Sequence, residues 1–139
     1  MRLLFEKESF EIRGAFYEVY KEKGAGFTEP IYHECLIEEF RMRGLPAVSE
    51  PELEISYKGN RLRKTLRPDF VCFGKIIVEI KGVKKLTDEH RAQVHNYLRA
   101  TGFELGFLAD VGHFSPIELE RIVLSRGQFS SQNTQPSLQ

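Results

Sequence analysis

Residues 66–82 read LRPDFVCFGKIIVEIKG, and this stretch sets the architecture of the chain. Its second half, residues 75–81, is β-branched on both faces through Ile76, Ile77 and Val78, as a central strand covered on two sides requires. Gly74 joins it to an alternating stretch from about residue 62 to 73, interrupted by Pro68, which has no amide to give a sheet ladder. Upstream, Leu53, Ile55 and Tyr57 alternate with Glu52, Glu54 and Ser56, predicting a half-exposed strand that Gly59 and Asn60 reverse. Downstream, Thr87 caps a predicted helix, DEHRAQVHNYLRA, with Val94, Leu98 and Thr101 inward and Gly102 at its end. FELGFLADV and PIELERIVL supply two further short strands.

Two helices precede the strands. Over residues 8–23, Ile12, Phe16, Val19 and Tyr20 fall on one helical face, and the glycines of GAG at 24–26 end the run. Thr28 offers a cap for a second helix over residues 29–43, with Pro30 in its tolerant first turn. Its expected core stripe is Ile31, Cys35, Leu36 and Phe40, with Glu34, Glu38 and Glu39 off it. Helix, helix, three strands, helix, two strands predicts an α/β sandwich: a mixed central β-sheet flanked by helices on both sides. A single domain is expected over residues 1–125, followed by a polar, disordered tail at 126–139.

Composition narrows the class. The 139 residues hold 20 Lys+Arg against 20 Asp+Glu, 41% hydrophobic residues, two Cys and no Trp, which excludes fibrous, disordered and disulfide-stapled chains. Cys35 and Cys72 have no CxxC partner and read as two buried reduced thiols. MRLLFEKESFE reaches charges too soon for a signal peptide, and no run approaches the roughly 20 apolar residues of a membrane span, so a cytoplasmic protein without membrane contact is expected.

Charge is segregated along the chain. Residues 1–57 carry a net −5, residues 58–99 a net +7, and residues 100–139 a net −2. Five cations, Lys58, Arg61, Arg63, Lys64 and Arg67, fall within ten residues with no acid between them, and Lys84 and Lys85 follow. Such a field draws in polyanions, although a solvated cationic hairpin has the same composition.

Asp69 follows Pro68, and ten positions later the next strand presents Glu79, Ile80 and Lys81. Residues two apart on a strand share a face, so Glu79 and Lys81 project together while Ile80 enters the opposite layer. Two carboxylates brought together raise one another's pKa unless a cation joins them. Mg²⁺, or Mn²⁺, suits such a cluster because it takes few protein carboxylates, keeps waters and bridges to phosphate oxygens. With Lys81 beside it to position a water or offset charge, the fitting reaction is metal-assisted hydrolysis of a phosphodiester. The alternative is an exposed Glu-Lys pair and a turn Asp. His33, His90, His95 and His113 read as ordinary polar residues.

Pro68-Asp69, ten positions, then Glu79-Ile80-Lys81 resembles the PD-(D/E)XK motif of restriction-endonuclease-like nucleases. Gly26, Glu29 and Tyr32 in GFTEPIY resemble the GxxExxY signature of one branch of that superfamily, and Gln93 and Tyr97 resemble its QxxxY helix motif. The resemblance implies a restriction-endonuclease-like α/β core, with Asp69 and Glu79 as metal ligands, Glu29 as a further acidic ligand and Lys81 as the catalytic lysine. Tyr32, three residues after Glu29, is expected to share its face. Gln93 and Tyr97, spaced for one helical face, would orient the lysine or hold nucleic acid. The implied substrate is nucleic acid, DNA before RNA, gripped through the basic hairpin with Lys84 and Lys85. A catalytically silent module that binds nucleic acid or protein is the competing reading, with helix 29–43 as a docking surface for a basic partner or a second copy.

Overall fold

The computed structural model describes residues 4–112 and 117–124. Along the chain lie α1 (Glu6–Lys23), α2 (Glu29–Arg43), β1 (Ala47–Ser49), β2 (Leu53–Tyr57), β3 (Asn60–Leu66), β4 (Phe70–Cys72), β5 (Ile76–Lys81), α3 (Asp88–Thr101), β6 (Leu105–Asp110) and β7 (Glu118–Val123). The expected tail at 126–139 and His113 fall outside the described residues.

Five strands form one sheet in the order β1-β4-β5-β6-β7, and β2 and β3 form a separate two-stranded arm. Only β5 and β6 run parallel; the other neighbours are antiparallel, so the sheet is mixed as expected. Strand β5 is central, and Ile76 through Ile80 are buried on both faces. Alternation then divides the core. Ile76, Val78 and Ile80 face α1 and α2, packing with Phe16, Leu36 and Phe40. Ile77 faces α3 and packs with Val94, Tyr97 and Leu98. This is the α/β core with helices on both sides that the sequence predicts.

Three details differ from the sequence reading. The stretch around Pro68 is two strands in two sheets: β3 ends at Leu66, β4 begins at Phe70, and buried Pro68 occupies the crossing, where the chain has no amide to offer either ladder. Strand β1 was not anticipated, because its three residues are too few to show a period; the Glu50 amide continues its pairing by donating to the Asp69 carbonyl at 2.8 Å. The buried stripe of α2 is Tyr32, Leu36 and Phe40, so that Ile31 is turned outward. Tyr32 prevails because its hydroxyl has partners inside: it donates to the Gly24 carbonyl and accepts from the Phe27 amide. It therefore ties down the loop between α1 and α2 from a fully buried position, while Glu29 is only partly buried.

Gly112 has a steric reason to lack a side chain: a Cβ there would stand 2.4 Å from the Val83 carbonyl oxygen. The loops leaving β5 and β6 cross at that point. The buried Asp110 carboxylate fastens them, accepting from the amides of Val83 at 3.1 Å and Gly112 at 2.9 Å.

Candidate functional site

Asp69 stands one residue before β4, and Phe70 pairs with Val78, so Asp69 comes opposite Glu79. The Asp69 amide donates to Glu79 Oε1 at 3.0 Å, and the Ile80 amide donates to Asp69 Oδ2 at 2.7 Å. Lys81, two residues on, brings its Nζ to 3.6 Å from Glu79 Oε2. The expected convergence of two acids and a lysine is therefore built by two short antiparallel strands.

Glu29 enters from the first turn of α2. Gly82, next after Lys81, leaves room for it: a Cβ at 82 would lie 3.4 Å from that of Glu29. His33, one turn further along α2, points its Nδ1 at Asp69 Oδ1 from 3.3 Å. Its ring is stacked on Phe70 with centroids 4.4 Å apart, and its Nε2 lies 2.9 Å from Ser49 Oγ. Donor atoms of Glu29, His33 and Asp69 lie within 4.8 Å of one another, the one such grouping among the described residues. Glu79 lies beside this trio rather than in it. Sequence alone presents His33 as an ordinary polar residue. The signal that could have found it is its distance of four residues from Glu29, which stacks two side chains on one helical face.

On the other layer, α3 carries Gln93 and Tyr97. Tyr97 is 6% exposed, and burial, followed by the charges of Glu79 and Asp69, pushes its phenol up to about 12 despite a hydrogen bond from Gln93. Its hydroxyl therefore stays protonated beside the two acids. Tyr97 packs with Ile77 on the α3 side of β5, near enough to Glu79 and Asp69 to feel their charge.

Electrostatically the acids of the centre outnumber its one lysine. Glu79 is 6% exposed, and burial together with the adjacent Asp69 carboxylate pushes it up to about 7, although the Asp69 amide and Lys81 oppose the shift. Burial and Asp69 raise Glu29 as well, with Lys81 and His33 pulling the other way and Glu50 adding a further acid. The favourable helix N-terminus does not cancel these costs. Carboxylates held this close, with an imidazole among them, make a donor set that fits a divalent cation, which would remove the repulsion.

The basic residues are less uniform than their sequence implies. Lys58, Arg61, Arg63, Lys64 and Arg67 all lie on the exposed arm of β2 and β3, whose root at Arg67 is two residues from Asp69. Arg61 is paired with Glu54, Arg67 approaches Glu52 at 3.9 Å, and the Lys58 ammonium lies over the Tyr57 ring. Among the described residues, Arg63, Lys64, Lys84 and Lys85 have no carboxylate within 4.0 Å. Lys84 and Lys85 are exposed in the loop just beyond Lys81. The acidity of α2 is also partly spent: Arg41 pairs with Glu38 at 2.8 Å and Arg43 with Glu39 at 2.6 Å. No helix among the described residues is long and apolar enough to cross a membrane.

The chain matches no curated protein and no solved structure. A family model does match it, over residues 6–122, which takes in both helical layers, the sheet and each residue gathered at the centre, and the chain belongs to the PD-(D/E)XK nuclease superfamily.

Proposed function

We propose that the chain is a divalent-metal-dependent nuclease that hydrolyses phosphodiester bonds, with DNA as its substrate. The observation that carries this reading is the meeting of Asp69, Glu79 and Lys81 across the β4–β5 pair, with Glu29 and His33 closing the same centre from α2. Asp69, Glu79 and Glu29 would hold Mg²⁺ or Mn²⁺. Such an ion, when bound, withdraws negative charge from the phosphate oxygens.

The chain's own groups supply the rest. Lys81 is anchored by Glu79, so its ammonium is aimed at the centre and can orient a water by donating to it. It also offsets charge that gathers on the phosphate as the bond breaks. Tyr97, whose phenol burial keeps protonated, would offer a neutral donor near the two acids. Arg63 and Lys64 on the arm, with Lys84 and Lys85 beyond β5, would hold backbone phosphates on either side with little regard to sequence.

The test is incubation with single-stranded, duplex and branched DNA, and with RNA, in Mg²⁺ or Mn²⁺. Cleavage is expected, with loss in Asp69→Asn and in Lys81→Ala. Cleavage undiminished in both variants overturns the site, and tight binding with no cleavage on any substrate makes the chain a silent binding module.

A further inference from the structure

We infer that His33 is itself a metal ligand of this centre, and that its nitrogen gives the site a preference for Mn²⁺ over Mg²⁺. The inference rests on the metal-dependent reading above and adds a residue to it. Its support is geometric. Nδ1 of His33 is 3.3 Å from Asp69 Oδ1, and with Glu29 the three donor atoms fall within 4.8 Å of one another. One divalent ion spans that grouping with small side-chain shifts.

The ring is also held as a ligand ring is held. A metal-binding imidazole has its second nitrogen engaged by a hydrogen bond that fixes its orientation. Here Nε2 lies 2.9 Å from Ser49 Oγ, on the edge strand β1. Phe70, the residue after Asp69, stacks on the ring and holds its plane. The side chain is only 12% exposed, so it does not swing into solvent. Ser49, Phe70 and the α2 backbone leave Nδ1 facing Asp69.

The chemistry then sets the metal. Mg²⁺ is small, hard and suited to oxygen, whereas imidazole nitrogen suits transition metals, for which affinity at a given site rises from Mn²⁺ onward along the first row. Replacing one oxygen donor by nitrogen penalises Mg²⁺ more than Mn²⁺. The outcome is a centre selective by ligand type rather than by charge.

The experiment uses the full chain loaded with Mn²⁺ and pulsed electron paramagnetic resonance. The expected result is ¹⁴N modulation from a directly bound imidazole, absent in His33→Asn. Calorimetric titration should give a Mn²⁺:Mg²⁺ affinity ratio that falls about tenfold or more in His33→Asn, while Asp69→Asn weakens both ions. Mn²⁺ bound in an Asp69-dependent way, without ¹⁴N coupling and with an unchanged ratio in His33→Asn, overturns the inference but leaves the metal-dependent reading standing; His33 is then only an ion-pair anchor for Asp69. If neither ion binds the chain, both fail. Should His33→Asn not fold, the ¹⁴N measurement on the unaltered chain still decides.

Discussion

Asp69 and Glu79 are locked together through main chain as well as side chain: the Asp69 amide donates to Glu79 Oε1 at 3.0 Å, while Asp69 Oδ2 accepts from the amide next to Glu79, that of Ile80, at 2.7 Å. Each acid is thus oriented by the other's strand. The pair does not depend on a long side chain finding its place, and removing either carboxylate loosens both.

This interlock makes the acids unequal to Lys81 in their effects. If the ammonium acts on the reacting group as proposed, Lys81→Ala should lower kcat by roughly 10²–10⁴-fold with little change in DNA affinity. Asp69→Asn should lower activity at least as far and also weaken metal binding. Steady-state kinetics beside a metal titration separates the two.

Without metal, stability should fall as pH rises from the ordinary carboxylate value of 4.5 toward about 7. In that window the unfolded chain releases the Glu79 proton while the folded chain keeps it, so rising pH favours unfolding. Glu29, raised by the same causes, adds the same sign. In chelator, the thermal midpoint should drop by roughly 3–8 °C across this window, and Glu79→Gln should flatten the profile. A divalent cation should stabilise the chain far more at pH 8 than at pH 5.

The arm's cations should not contribute equally to DNA binding. Arg63→Ala and Lys64→Ala should each weaken binding and reduce the slope of log affinity against log salt by about 0.9 for duplex DNA. Arg61→Ala and Arg67→Ala should do less, because Glu54 and Glu52 already neutralise them in part. Fluorescence anisotropy over a salt series measures this.

Cys72 is fully buried, and burial pushes its thiol up to about 12, so at pH 8 it is protonated and shielded. Cys35, expected to be buried like Cys72, is only half-buried, because it lies at the edge of the α2 stripe in a groove between α1 and α2. An aromatic disulfide reagent should therefore label one thiol per native chain and a second only on unfolding. Two fast-reacting thiols would contradict this packing.

Much of the fold was legible because its decisive signals are local. The β-branched run at 76–78, the glycines after the helices and the alternation at 53–57 each follow from what one segment can bury. The meeting of Asp69 with Glu79 was also legible, since two strands linked by a short turn have few registers. What sequence did not disclose depends on contacts between distant segments. Tyr32 displaced Ile31 from the buried stripe because Gly24 and Phe27 satisfy its hydroxyl. His33 joined the centre because Ser49, sixteen residues away on an unanticipated strand, and Phe70 hold its ring. Arg61 and Arg67 looked available for phosphate because nothing in a linear pattern reveals their cross-strand acids.

Pro68 separates the arm from the sheet, and only the arm's root, at Leu53 and Leu66, packs on the core. Its far end, with Tyr57 62% and Leu62 39% exposed, bears none of the scaffold's weight. The arm is therefore peripheral to the packed sheet: its tip can be lengthened, shortened or recharged while the paired acids behind the proline keep their places.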